Sequence, residues 1–345
     1  MVLALFRHGV RSPIVTFPTD PHANYPWVGG MESLQPKGLV QLYELGQSMR
    51  ARYKFLIPDH VAKQKQKIYA VSSASQRCID SAQSFLAGFL QTSTTGINGS
   101  VVPKQPVLLH IIPGDQDAIL YQLNVTCPRA SLIRTQLKED PTSALGPFLR
   151  EGAILQEYVS SLIGAPVTSL HNLALICDAL EMYHTLGLPQ PAWAAKVFPE
   201  RTRELMVRYL QSYSATPELK RIRGGPLLAE FLDKMRRVRD SRMRFGRRIF
   251  LYSGHDLTQM SLFNSMDMRE QTLARADCGS AVVFELHKSK LLVGDLEVRM
   301  IQYATAGSVP KQLEIPRCPG VCSLSEFERS VSHLVLSDLN EACLT

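Results

Sequence analysis

The chain has 345 residues, enough for two domains or for one large domain with an insertion, and its 45% hydrophobic and 20% charged residues are those of an ordinary globular protein. Lys and Arg number 38 against 31 Asp and Glu, a formal charge of +7, yet no zinc-finger, helix-turn-helix or aromatic RNA-binding signature accompanies the excess, so nucleic acid is not the favoured partner. No apolar run approaches the roughly eighteen residues that cross a bilayer.

Residues 2–6 form a β-rich apolar run. No signal peptide stands before it, which leaves an upstream segment removed or never included. The run ends in Arg7-His8-Gly9-Val10-Arg11-Ser12-Pro13. Guanidinium groups four residues apart can each give two hydrogen bonds to phosphate oxygens, and a neutral imidazole between them is a nucleophile that needs no separate base. Gly9 would let the backbone pass close to a bound oxyanion. A lone Arg-His-Gly reads as surface chemistry at a strand end; the longer pattern after an apolar strand is much rarer by chance.

From Pro36, the spacing Leu39, Leu42, Gly46, Met49, Tyr53 predicts one helix face. A strand over 67–71 leads through Ser72-Ser73 to Arg77, which opens a helical pattern over 79–90. An arginine there lies where a helix dipole assists anion binding, although alone it is usually just solvated. Another strand is predicted over 107–112. From about 115 to 225 convincing strands disappear. Helical spacing marks Leu155, Tyr158, Leu162, then Leu173, Cys177, Leu180, His184, then Leu205, Tyr209, Tyr213, with Pro189, Pro191 and Pro199 between them. A helix from Leu227 through Phe231, Met235 and Val238 leads into a strand over 248–252. That strand ends in His255-Asp256, a carboxyl that could protonate a leaving alcohol or, more plainly, cap the next helix. Strands over 280–286 and 296–303 read as an antiparallel pair turning at Gly294-Asp295.

The expected fold is therefore α/β, a mainly parallel sheet flanked by helices, from residues 1–114 and 226–345, with residues 115–225 inserted as a smaller all-helical domain. The positive clusters, Lys63, Lys65 and Lys67 and the stretch from 234 to 248, read as solvated faces. Seven cysteines without a C-x-x-C pair, and sequons at Asn98 and Asn124, lean towards three disulfides and one free thiol in an oxidising compartment.

These motifs resemble the histidine acid phosphatase family, the prostatic and lysosomal branch of the phosphoglycerate mutase-like fold. The resemblance rests on Arg7-His8-Gly9-x-Arg11-x-Pro13, Leu34-x-Pro36-Lys37-Gly38, Leu45-Gly46, Arg50-x-Arg52-Tyr53, Ser72-Ser73 with Arg77, and His255-Asp256. It implies a phosphorylated His8, a clamp of Arg7, Arg11, Arg77 and His255 on the phosphoryl oxygens, and Asp256 as proton donor, without metal or cofactor. It also implies disulfides Cys127–Cys343, Cys177–Cys278 and Cys318–Cys322, with Cys78 free; sequence alone permits other pairings. Val71, Ala74 and Gln76 depart from the family, which usually has an arginine and two acidic residues there, and so bear on how firmly Arg77 is held. The expected substrates are small phosphomonoesters, with phosphorylated lipids or proteins and a homodimer left open, in a secreted or lysosomal setting. The alternatives are a phytase-like phosphatase of the same superfamily, or a catalytically weak secreted protein that binds anions or lipids.

Overall fold

The computed structural model describes residues 1–91, 93–95, 101–103, 107–268, 275–289, 292, 294–336 and 338–344. Its centre is a seven-stranded sheet. In chain order the strands are β1 (Val2–Arg7), β2 (Ile68–Ser73), β3 (Ser93–Thr95), β4 (Val101–Pro103), β5 (Leu109–Ile112), β6 (Ile249–Gly254), β7 (Ala281–Lys288), β8 (Leu296–Tyr303) and β9 (Lys311–Leu313). The sheet order is β5-β2-β6-β1-β7-β8-β9; β3 and β4 form a separate antiparallel pair. Pairings from β5 to β1 are parallel and those from β1 to β9 antiparallel, so the sheet is mixed where a mainly parallel one was expected.

Every residue of β1 and β6 is buried, as central strands covered on both faces must be. Side chains alternate between two cores. Leu3, Leu5, Phe250, Tyr252, Val282 and Phe284 face α8 (Pro217–Arg239), α9 (Asp256–Ser265) and α10 (Leu324–Val331). Val2, Ala4, Phe6, Ile249, Leu251 and Val283 face α1 (Pro36–Tyr53) and α3 (Gln76–Leu90). Those two helices cross at backbone contact: a Cβ on Gly46 would lie 2.2 Å from the Phe85 carbonyl oxygen, and one on Gly88 2.0 Å from that of Tyr43. Of the predicted α1 face, Leu42, Gly46, Met49 and Tyr53 are buried, whereas Leu39 is exposed.

Between β5 and β6 the described elements are all helical: α4 (Pro128–Glu139), α5 (Gly146–Ile163), α6 (Leu170–Leu186), α7 (Glu200–Gln211) and α8, with short 3-10 turns. The buried stripe of α5 runs through Leu155, Val159 and Ile163, one residue away from the expected Tyr158 and Leu162. α8 crosses the expected boundary at 225 unbroken. Gly224-Gly225-Pro226 looks like a break in sequence, but Pro226 removes a single hydrogen-bond donor. The glycines serve packing: a Cβ on Gly224 would meet Ser265, and one on Gly225 the Leu334 carbonyl. Leu219 and Ile222 pack beside α4, and Leu227 to Met235 against the sheet.

Two of the three expected disulfides are present, Cys127–Cys343 and Cys318–Cys322, the first tying the start of α4 to α11 (Leu339–Cys343). Cys177 and Cys278 are not joined; both are buried free thiols, as is Cys78. Cys278 packs with Met182 and Val10. Met182 lies five residues beyond Cys177 on α6, which is about 140° round the helix, so Cys177 instead packs with Leu173 and Leu180. The basic stretch after 234 is largely ion-paired on the surface, Arg236 with Glu328 and Arg237 with Asp233. Asn124 is exposed in the loop before α4, and Asn98 lies outside the described residues. No described helix is long and apolar enough to cross a membrane. Short α2 (Val61–Lys67) precedes β2.

Candidate active site

Parallel strands place ligands at their carboxyl ends, and here β1 and β6 end side by side, with Arg7 in register with Gly254. The residue after each is a histidine. The His8 backbone N–H donates to the Gly254 carbonyl at 3.1 Å, and the Gly279 N–H to the His8 carbonyl at 3.2 Å. His8 is thus fixed between β6 and the start of β7. Gly9 is needed for a reason other than the expected one: a Cβ there would lie 2.3 Å from the Gly38 carbonyl, so the first turn of α1 packs on the loop backbone.

The His8 Nδ1 lies 2.8 Å from the carbonyl oxygen of Gly9. A carbonyl only accepts, so Nδ1 carries the proton and Nε2 keeps a lone pair. Burial, followed by the charges of Arg77 and Arg7, holds the imidazole well below its usual pKa, hence neutral in acid. The His255 ring lies 5.6 Å away, edge-on. His255 caps α9: its side chain accepts from the backbone N–H of Thr258, and Nε2 donates to the Ser73 hydroxyl at 3.1 Å. It is held neutral too, at about 3, by burial and then by Arg77. The ring of Tyr121 packs on it at 4.3 Å, tilted by 35°. Asp256 is therefore the first residue of α9 and not its cap. Cys78 lies beneath, its Sγ 3.6 Å from His255 Nε2, and burial pushes this thiol up to about 12, where it is inert.

The carboxyls and guanidiniums form one buried chain. Arg7 reaches the Ala276 carbonyl with Nη1 at 2.7 Å and stands 3.0 Å from Asp256 Oδ2 with Nη2. Arg275 donates to Asp256 Oδ2 at 2.7 Å and to Asp178 Oδ1 at 2.6 Å, both from Nη2. Arg11 donates to Asp178 Oδ2 at 2.7 Å. Arg77 pairs with Glu32 at 3.3 Å, so its hold comes from the loop before α1 and not from positions 71, 74 and 76. Of these, Val71 is strand core, Ala74 is exposed and Gln76 bonds Asp80. Burial alone would raise Asp256, but Arg7 and Arg275 outweigh it and hold the carboxyl well below the usual range. Asp178 is likewise held at about 2 by Arg11 and Arg275, against its burial.

The structure thus brings together all six of His8, Asp256, Arg7, Arg11, Arg77 and His255. Asp178, Arg275 and Tyr121 were missed by the sequence reading, and Ser73 was read only as part of the motif that leads to Arg77. Arg275 could have been noticed as a charged residue just before the apolar 280–286 strand; Asp178 inside a helical stripe carries no such mark. Four guanidiniums here face three carboxylates, and Arg7, Arg11 and Arg77 at Nε, and Arg275 at Nη1, keep buried N–H groups without an acceptor. A surplus buried cation with unsatisfied donors is costly unless an anion completes it. A cavity of about 730 Å³ between α1, α6 and α7 has Arg7 and Arg275 in its wall.

A parallel-sheet edge that offers an anion the free N–H groups of three arginines and an open imidazole nitrogen is the site of a phosphate-handling protein. The chain belongs to the histidine phosphatase superfamily (branch 2), whose family model matches residues 1–303. It is 27% identical over 350 residues to lysosomal acid phosphatase of Homo sapiens, covering 99% of this chain and 79% of that protein. It is 28% identical over 356 residues to prostatic acid phosphatase of Homo sapiens, covering 100% and 87%. Among solved structures, apo Hafnia alvei phytase superposes with a TM-score of 0.72 at 19% identity, over 100% of this chain and 97% of that one. That likeness shows a shared fold.

Proposed function

We propose that this protein is an acid phosphatase that hydrolyses phosphate monoesters through a phosphohistidine at His8. The observation that carries the reading is the His8 ring, with Nδ1 committed to the Gly9 carbonyl and Nε2 left as a neutral nucleophile among arginines. The Nε2 lone pair forms the P–N bond as the ester P–O bond breaks. The unpartnered N–H groups of Arg7, Arg11 and Arg77 bind the phosphoryl oxygens, while His255, its nitrogens taken by Thr258 and Ser73, walls the pocket beside them, and little further covalent help is needed. Asp256 gives its proton to the departing alkoxide. Water then loses a proton to the same carboxylate, attacks phosphorus and restores neutral His8 as the P–N bond breaks. In the resting site Asp256 is ionised by its arginines. A bound phosphate offsets the Arg7 charge, so proton uptake accompanies substrate binding and an acidic optimum follows.

Residues 115–225 act as a cap that shapes the leaving-group side: Tyr121 packs on His255, and Asp178 on α6 anchors Arg11. Small phosphomonoesters suit the site. Two disulfides and an exposed Asn124 suit a lysosomal or secreted location. The phytase-like alternative rests on fold alone. The test is hydrolysis of phenyl phosphate between pH 4 and 8 with chelator present. An acid optimum that disappears in His8→Ala is expected. No hydrolysis by the folded, disulfide-bonded protein would leave only an anion-binding role.

A further inference from the structure

The proton donor just described is ion-paired to two arginines, and one of them, Arg275, is not among the three given to the phosphoryl oxygens. Arg275 is buried, at 8% exposure, and reaches Asp256 Oδ2 with Nη2 at 2.7 Å and with Nε at 3.2 Å. Its Nη2 also donates to Asp178 Oδ1 at 2.6 Å, and Asp178 is held in turn by Arg11. Resting on the phosphatase reading, we propose that Arg275, braced by Asp178, is a positioning residue for Asp256 that decides which leaving groups this protein releases: phenols readily, aliphatic alcohols only in acid.

The argument is one of proton affinity and geometry. Asp256 Oδ1 accepts from its neighbour's backbone, the Leu257 N–H, at 2.8 Å, so both oxygens are committed. The groups that face Asp256 are Arg7 and His8 from the end of β1, Cys78 from α3, Tyr121 from the loop before α4, His255 at the end of β6, and Arg275 from the loop before β7, with Asp178 on α6 behind it. Two of these carry fixed positive charge against the carboxyl, and both favour its ionised form. A bound phosphate offsets Arg7, which also belongs to the clamp. The contacts between Arg275 and Asp256 stay in place, because Arg275 Nη2 and Nε are already spent on Asp256 and Asp178. Arg275 therefore keeps opposing protonation throughout the cycle. A phenol, with a pKa near about 10, leaves with little help from an acid, whereas an aliphatic alkoxide needs the proton. The same contact fixes the carboxylate that takes the proton from water in the second step.

The test compares kcat/KM for phenyl phosphate and glycerol 2-phosphate from pH 4 to 8 in the unaltered protein, Arg275→Gln and Arg275→Lys. Arg275→Gln should slow both substrates, since Asp178 loses a partner. Its preference for phenyl phosphate at pH 6.5 should fall about tenfold, the effect of one unit of carboxyl affinity. Its basic limb for glycerol 2-phosphate should move to higher pH, with Arg275→Lys between the two. Equal losses on both substrates, with unmoved limbs, would show a purely structural brace and overturn the inference. A carbon-13 titration of Asp256 in the His8→Ala protein, assigned with Asp256→Asn and repeated with Arg275→Gln added, needs no turnover. A midpoint that rises when Arg275→Gln is added supports the inference, and an unmoved midpoint overturns it. Failure of the unaltered protein to hydrolyse phenyl phosphate would instead count against the phosphatase reading.

Discussion

Two parallel strands, β1 and β6, end in register and each delivers a histidine, yet the two rings are prepared for opposite tasks. His8 spends one nitrogen on its own loop and leaves the other open. His255 spends both, one on the Thr258 N–H and one on the Ser73 hydroxyl. Burial and the surrounding arginines keep both rings neutral. The partner of the second nitrogen therefore separates a nucleophile from a scaffold, more than exposure or strand position does.

Breaking this contrast at its strong end should have the largest effect. His8→Ala is expected to lower kcat on phenyl phosphate by about 10⁴-fold or more, the usual loss for a nucleophile, and to prevent trapping of an acid-labile phosphoenzyme after rapid quench. His255→Ala should cost about 10- to 100-fold in kcat/KM and about 1 kcal/mol of stability through the lost helix cap. His255→Asn keeps a capping side chain, so in urea melts it should regain stability without regaining rate; recovery of both would make the ring a cap only.

The shared neutrality has a pH consequence. A histidine depressed in the folded state binds protons better when unfolded, so stability falls as pH drops below about 6.5 towards the folded value, and is fully present above it. With His255 at about 3, the window between pH 6.5 and 4 should cost on the order of 2–3 kcal/mol at that ring. Urea midpoints at pH 7 and pH 4 should therefore lie closer together in His255→Asn than in the unaltered protein. The mildest change is Ser73→Ala, which strands the His255 Nε2 proton. It should cost about 1 kcal/mol and a few-fold in rate, read from the same melts and from kcat/KM.

Local signals made much of this readable in the sequence. An apolar strand followed by Arg-His-Gly, and another by His-Asp, announce themselves within ten residues, and all six site residues come together. What escaped is held by long-range contact. Asp178 meets Arg11 across 167 positions and Arg275 across 97. On α6 it sits in a stripe whose periodicity speaks only of a core. The Cys177–Cys278 pairing failed because helical phase puts Met182, and not Cys177, beside Cys278. The expected boundary at 225 failed because glycines that let a helix pack at backbone distance look, in sequence, like a break in it.

The position of β1 at the middle of the sheet also has a consequence in time. Its neighbours are β6 and β7, and Val2 pairs with Ile249 on one side and Glu285 on the other. Glu285 is synthesised 283 residues after Val2, roughly 15 to 60 s later at about 5–20 residues per second. Until β6 is made the ribosome exposes an apolar segment with both hydrogen-bonding edges unclaimed, and one edge stays open until β7 follows, a hazard for association with other chains. The strand that carries the nucleophile has to be sheltered, by helices already made or by a chaperone, long before it can hold a phosphate.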